Sequence, residues 1–330
     1  MNSRNLIVFD MDGVIMDVSG SYRDVVRQTT KLFFNGARNA EILPQPLFEL
    51  SDLAALKQSG GLNNDWDLTF VVIKLLFCLV NRPAIHKSGD AWIRYGRTIG
   101  SCDVAPIAAF LQSKNNPLIS LLKEYGQPEN EFIENLYRGD VGSGNIIKQI
   151  FQEIYLGRDL FQTTYGLTPE MYSGEGYILK EAVLIDRPVL EDLSRENVLA
   201  IATGRPKAEA EYPLNHHDLK KYFTLVLTLD DCLKAEKKLF EENGKKVSLS
   251  KPDPFMLDAI ITSCGQSFTD LYYIGDMPDD MLAAARSRFG FKSIGILISA
   301  PDKPGLKREL KRAGANYVID NFDGLKKIVL

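Results

Sequence analysis

The sequence predicts an α/β protein, a parallel sheet with helices on both faces, interrupted by an inserted and mostly α-helical domain. Three observations carry that prediction. Leu6-Ile7-Val8-Phe9 is an unbroken apolar run rich in branched and aromatic residues, as in a strand buried on both faces. From Val198 onward, runs of that kind alternate with helical patterns, the signature of a parallel sheet built from βαβ units. Between the two regions, as far as about Val183, no strand is as clear as the first and apolar residues recur at helical spacing.

A chain of 330 residues suggests about two domains. The spacing divides them as 1–17 with 185–330, one discontinuous sheet domain, and 18–184, the helical insertion. A hydrophobic share of 45% and a charged share of 25% are ordinary for a folded soluble protein with a sizeable core. A net charge of −4 argues against a nucleic-acid binder, which would carry a basic face. Cys78, Cys102, Cys232 and Cys264 form no CxxC pair, and His86, His216 and His217 complete no zinc pattern, so reduced thiols in the cytoplasm are expected. The N-terminus lacks the basic, apolar and small-residue regions of a signal peptide. Phe70–Val80 contains Lys74 and is too short to span a bilayer, so no membrane association is expected.

After the first strand, Ser19 or Ser21 is placed to cap a helix from Tyr22 to Phe34. Helical spacing returns in Leu68–Leu79, Leu118–Tyr125, Glu131–Tyr137 and Ile146–Leu156. Val198–Ala202 reads as a strand, Lys207–Leu219 as a helix and Leu225–Leu229 as a strand; the charged run Lys234–Lys246 reads as solvated helix and loop. Pro254–Cys264 reads as a helix, Leu271–Ile274 as a strand, Asp279–Phe289 as a helix and Ser293–Ile298 as a strand. Elements near Tyr317–Ile319 and Leu325–Val329 are expected to close the sheet.

Chemistry gathers at the strand ends. The first strand runs into Asp10-Met11-Asp12-Gly13-Val14, and in an open parallel sheet ligands sit beyond the carboxyl ends of strands. The strand through Ala202 ends in Thr203-Gly204-Arg205, a hydroxyl beside a residue that permits close backbone approach. Ser250-Lys251-Pro252-Asp253-Pro254 holds a lysine at a proline-fixed turn, and Gly275-Asp276-Met277-Pro278-Asp279-Asp280 is an acidic cluster at a helix start. Carboxylates a few ångströms apart repel by about 4 kcal/mol at an effective dielectric near 20, and a bound cation would relieve this. Oxygen ligands without histidine or cysteine point to a hard ion such as Mg²⁺.

In their order, these motifs resemble those of the haloacid dehalogenase superfamily, whose members include aspartyl-phosphate phosphatases: DxDG(T/V) at Asp10–Val14, the hydroxyl motif at Thr203, the lysine motif at Lys251 and GDxxxD at Gly275–Asp280. The resemblance implies a Rossmann-like core with the family's first, helical type of cap, similar to phosphoglycolate phosphatases and sugar-phosphate phosphatases. It implies Asp10 as nucleophile and Asp12 as acid and base. Lys251, Thr203 and the amides near Met11 and Gly204 would orient and neutralise the phosphoryl oxygens. Mg²⁺ would be held by Asp10, Asp276 and the main-chain carbonyl of Asp12, with Asp280 a partner of Lys251 or of a metal-bound water. Asp279 fits the helix N-terminus better than the site.

An aspartate at position 12 supplies the leaving-group proton that phosphoryl transfer needs and dehalogenation does not. The implied function is Mg²⁺-dependent hydrolysis of a small phosphorylated metabolite. A phosphomutase acting on a sugar phosphate, and a phosphometabolite-binding protein without turnover, are the alternatives. Substrate choice is expected in the inserted domain, with Arg23, Asn63, Asn64 and Trp66 as candidates beside Arg205. Each has a plainer reading: Trp66 as a helix anchor, the arginines Arg23, Arg138, Arg158 and Arg205 as solvated side chains. The segments Asp17–Arg23 and Asn63–Trp66 also resemble a clade of capped phosphatases, some of whose relatives are joined to imidazoleglycerol-phosphate dehydratase. Neither oligomeric state nor the identity of the substrate follows from these residues.

Overall fold

The computed structural model describes residues 4–329 apart from 61–63 and 82. The chain divides into two compact units, residues 1–18 with 181–330, and residues 19–180.

The first unit is built on eight strands: β1 (Asn5–Phe9), β2 (Met16–Asp17), β3 (Ala182–Val183), β4 (Asn197–Ala202), β5 (Leu225–Leu227), β6 (Leu271–Gly275), β7 (Lys292–Ile296) and β8 (Tyr317–Ile319). Six form one parallel sheet in the order β5-β4-β1-β6-β7-β8. β2 and β3 pair with each other, antiparallel. This pairing carries the return of the chain into the first unit back to 181, four residues earlier than spacing suggested.

β1 lies at the centre because all four of its apolar side chains have somewhere to go. Leu6, Ile7, Val8 and Phe9 are fully buried, and strand alternation sends them to opposite faces. Ile7 and Phe9 join Leu199, Ile201, Tyr272 and Ile274 under the helices Arg187–Glu196, Lys207–His216 and Phe322–Val329. Leu6 and Val8 join Ala200, Ala202 and Tyr273 under Leu229–Asn243, Phe255–Cys264 and Pro278–Arg286. At roughly 1.5–3 kcal/mol for each large apolar side chain fully buried, these four side chains hold β1 firmly in the sheet.

Several element boundaries depart from the sequence reading, among them those of the strand from Leu225, the helix from Lys207 and the last element. The strand from Leu225 stops at Leu227 because Thr228 starts a helix, its N–H donating to Asp231 Oδ2 at 2.9 Å in a capping box. The helix from Lys207 ends at His216, three residues after Pro213. Leu325–Val329 belongs to the helix Phe322–Val329, which covers the sheet rather than extending it; β8 is the edge.

The second unit is helical. Tyr22–Phe33 packs on Asp65–Phe77 and on Ile146–Tyr165, joined by the stack of Tyr22 on Tyr155, ring centroids 4.3 Å apart. Ser21 occupies the cap position of the first of these, without a side-chain cap hydrogen bond. Helices at Leu50–Gly60, Ala91–Ser101 and Ala105–Ser113 were not read from periodicity. Two buried acids organise this unit. Asp52 accepts from Leu118 N (2.7 Å) and Ile119 N (3.3 Å), and Glu153 accepts from the backbone of Glu170, Met171 and Tyr172. Among the described residues, no helix is long and apolar enough to cross a membrane.

Candidate active site

The strand register sets three chain exits side by side. Phe9 lies opposite Ile201 of β4 and Ile274 of β6, so Asp10, Thr203 and Asp276 leave the sheet from adjacent strands. The chain leaves β1 towards β4 on one side and leaves β6 towards β7 on the other. A crevice therefore opens between the carboxyl ends of β1 and β6, where ligands of open α/β sheets bind.

At that crevice Lys251 Nζ lies 2.7 Å from Asp10 Oδ1 and 2.8 Å from Asp280 Oδ1. Asp280 also accepts from Tyr273 Oη (2.8 Å) and, through Oδ2, from Met277 N (3.0 Å). One carboxylate thus holds the lysine, a buried phenol and the start of the helix Pro278–Arg286 in a fixed relation. Burial pushes the Asp10 carboxyl up to about 7; Lys251 opposes this, and the charges of Asp280 and Asp12 reinforce it. Asp276 is raised well above the carboxylate range, first by burial and then by Asp280 and Asp10. Burial disfavours the Lys251 ammonium, but Asp10 and Asp280 outweigh it and hold the amine well above its ordinary value.

Asp10, Asp276 and Asp280 each offer one carboxylate oxygen, all within 4.8 Å of one another. Three acids around a single ammonium leave excess negative charge in a buried site, and the donors are all oxygen. This set fits a hard divalent cation. The Asp12 carboxylate is not in this cluster.

Two glycines make the close approach possible. Gly13 has φ +70°, and a Cβ there would lie 2.1 Å from Asp276 Oδ2; at Gly275 a Cβ would lie 2.3 Å from Asp280 Cβ. Without both, neither acid could reach its place.

Thr203 is buried at the end of β4, and its Oγ1 accepts from Arg205 N at 3.2 Å. Gly204 is exposed, and a Cβ there would meet nothing within 4 Å. The Met11 carbonyl accepts from Ile15 N (2.8 Å) and Met16 N (2.9 Å), which curls the loop after β1. Asp279 sits in the first turn of Pro278–Arg286, where its charge suits the helix dipole.

Arg205 departs most from expectation. It is not a solvated side chain: 2% of it is exposed. Its Nε and Nη2 both lie 2.6 Å from Asp12 Oδ1, and its Nη1 donates to Glu181 Oε2 (2.9 Å) and the Glu209 carbonyl (3.2 Å). An arginine after a strand usually extends to water, but two acids drawn from distant parts of the chain hold this one inside.

Of the candidates in the helical unit, Asn63 lies outside the described residues. Asn64 caps Asp65–Phe77, its Oδ1 accepting from Trp66 N (2.8 Å) and Asp67 N (3.2 Å). Trp66 packs edge-on against Phe151 and beneath Lys148 Nζ, 4.3 Å from the ring centroid, as a helix anchor. Arg23 is half-buried, Arg138 and Arg158 exposed. Sequence reasoning missed Tyr273 and Glu181. A hydroxyl inside the apolar run Leu271–Ile274 was a usable signal for the first; nothing local marks the second.

A family model described as haloacid dehalogenase-like hydrolase matches residues 5–288. No curated protein matches the chain. An X-ray structure of a Northeast Structural Genomics Consortium target is similar at 20% identity over 98% of both chains, with a TM-score of 0.67. A phosphatase from Thermococcus thioreducens is similar at 21% identity over 93% of this chain and 99% of its own, with a TM-score of 0.51. At these identities both likenesses concern the fold.

Proposed function

Because the chain belongs to the haloacid dehalogenase-like hydrolases, we propose that it is a Mg²⁺-dependent phosphatase that hydrolyses a small phosphorylated metabolite through an aspartyl-phosphate on Asp10. The observation that carries this reading is the Lys251 ammonium between Asp10 and Asp280, within a buried group of acids at the sheet's crevice. Lysine and acids in that arrangement orient one carboxylate and neutralise an incoming dianion, which is most of what phosphoryl transfer asks of a protein.

In the first step an Asp10 oxygen attacks phosphorus as the bond to the ester oxygen breaks, and that oxygen takes the Asp12 proton to leave as an alcohol. In the second, the Asp12 carboxylate takes a proton from water whose oxygen attacks the same phosphorus. The bond to Asp10 breaks, freeing phosphate and restoring the carboxylate. Thr203 Oγ1 and the amides near Met11 and Gly204 orient the non-bridging oxygens, and Lys251 holds Asp10 in place. Asp10, Asp276 and the Asp12 carbonyl would hold Mg²⁺, which supplies positive charge against the phosphoryl group. Choice of substrate is assigned to the helical unit, and a cytoplasmic setting accords with the free cysteines Cys78, Cys102, Cys232 and Cys264.

The test is a panel of phosphorylated metabolites assayed with Mg²⁺ and with EDTA, for the wild type and Asp10→Asn. Hydrolysis is expected in the wild type with Mg²⁺ only, and is lost in the variant. Equal activity in the two proteins removes Asp10 as the nucleophile. Transfer to a sugar phosphate instead of water identifies a mutase, and tight binding without turnover identifies a binding protein.

A further inference from the structure

We propose that the helical unit carries a ligand site of its own, for a small aromatic carboxylate, in a cavity of about 240 Å³ beside the helix Tyr22–Phe33. Leu32 and Ile154 line it with apolar surface, and Tyr172 and Tyr177 line it with aromatic rings. Gln28 and Lys31 share a face of that helix with Leu32, and Asn35 follows its end. Among the described residues neither the Gln28 nor the Asn35 side-chain amide has a hydrogen-bond partner, and Lys31 Nζ has only the neutral amide of Gln45, at 2.8 Å. The acids acting on the two tyrosines are Asp24, which is paired with Arg27 Nε at 2.9 Å, and Glu175, which is exposed and screened by water. An ammonium without a counter-charge, beside two unused amides and a largely apolar lining, calls for an anion with a flat apolar body.

The segment that carries the tyrosines is fixed before any ligand arrives. Glu153 holds the backbone N–H groups of Glu170, Met171 and Tyr172, and Tyr172 Oη donates to the Glu175 carbonyl at 2.9 Å. The helix Ile146–Tyr165 is broken at Gly157, where φ is +72°, and Arg158 N donates to the Gly174 carbonyl at 3.2 Å. A Cβ on Gly157 would lie 2.2 Å from Gly176 N, so only glycine lets this segment seat against the helix. The longest helix of the unit, 20 residues, thus gives up its regular course for a strap that brings Tyr172 and Tyr177 to the cavity. A site formed in advance loses little binding energy to ordering. An apolar cavity of about 150 Å³ holds benzene, so this larger one admits one or two fused rings with a carboxylate arm. The ring lies against Leu32, Ile154 and the tyrosines, the carboxylate meets Lys31, and the amides of Gln28 and Asn35 bond its remaining lone pairs.

The test is calorimetry on the full chain, with phenylacetate and indole-3-acetate as probes and phenylacetamide as the neutral control. In the wild type at least one acid is expected to bind with a Kd below about 1 mM, and the amide at least about tenfold more weakly. Lys31→Met keeps the aliphatic stem and removes the charge. It is expected to weaken the acid by at least about tenfold and to leave the amide within about twofold. Gln28→Leu is expected to weaken the acid by about threefold or more, and it decides the question if Lys31→Met does not fold. Asp10→Asn is expected to bind the acid as the wild type does, because Asp10 is not among the residues that line the cavity. Failure of both acids to bind at millimolar concentration overturns the site, as does an affinity that the deciding variant leaves unchanged. An amide that binds as tightly as the acid overturns it too, and loss of binding in Asp10→Asn assigns the acid to the sheet's crevice instead. None of these results depends on turnover, so the phosphatase reading stands or falls by its own assay.

Discussion

Replacing Arg205 by methionine should destabilise the sheet domain severely, and the structure gives the size of the effect. Glu181 keeps its place, its side chain fully buried, but loses the guanidinium 2.9 Å away. Removing one member of a buried ion pair costs about 3–5 kcal/mol, because the remaining charge has neither water nor its partner. The half-exposed contact with Asp12 adds at most about 1 kcal/mol, since solvent screens it. The measurement is native-state hydrogen exchange on the amides of β1 and β4, which reports opening of this unit separately from the helical one. At about 1.4 kcal/mol per tenfold, exchange should quicken by roughly 10²–10⁴-fold. The double variant Arg205→Met with Glu181→Leu removes the stranded charge as well, so it should recover at least about 2 kcal/mol relative to the single variant. A single variant costing under about 1 kcal/mol, or a double variant whose cost is the sum of the two singles, would refute this reasoning.

Other outcomes follow from single contacts. Gly13→Ala places a Cβ 2.1 Å from Asp276 Oδ2 on a residue at φ +70°, so Mg²⁺ binding measured by calorimetry should weaken at least tenfold, with about 1–2 kcal/mol of backbone cost; unchanged binding would separate Asp276 from the metal. Tyr273→Phe removes one of the hydrogen bonds on Asp280 and leaves Lys251 and Met277 N in place, so urea unfolding should show a loss of about 1 kcal/mol. Burial, reinforced by His216 and Arg187, holds the His217 imidazole below its ordinary value. The folded state therefore favours neutral His217, and its contribution is present above the unfolded value near 6.5 and lost as pH falls through the lower folded one. His217→Gln should flatten thermal stability between pH 7 and pH 5 relative to the wild type; parallel curves would show that His217 titrates alike in both states.

Much of the fold was legible because β1 and its neighbours carry their burial in composition. Leu6–Phe9 and Val198–Ala202 have no polar residue to solvate, so they could only be interior strands. The four motif positions were legible for the opposite reason, since acids, a hydroxyl and a lysine at the ends of such strands have no role in packing. The helical unit was harder to read. Leu50–Gly60 and Ala105–Ser113 have weak amphipathic patterns, and their places depend on long-range contacts such as Asp52 accepting from the N-terminus of Pro117–Tyr125. Arg205 was misjudged because its surroundings are set by residues far along the chain. An arginine's local context says it will find water, and only Glu181, 24 positions before it, says otherwise.

The position of β1 has a consequence for synthesis. Its neighbours on either side begin to pair at Asn197 and Leu271, so the most apolar segment of the sheet leaves the ribosome long before anything exists to cover it. At roughly 5–20 residues per second, the wait for β4 is on the order of 10–40 s. That interval is spent making the helical unit, residues 19–180, and throughout it the first strand is unpaired. A trigger for aggregation, or a client segment for a chaperone, is thus built into the order in which the chain is made.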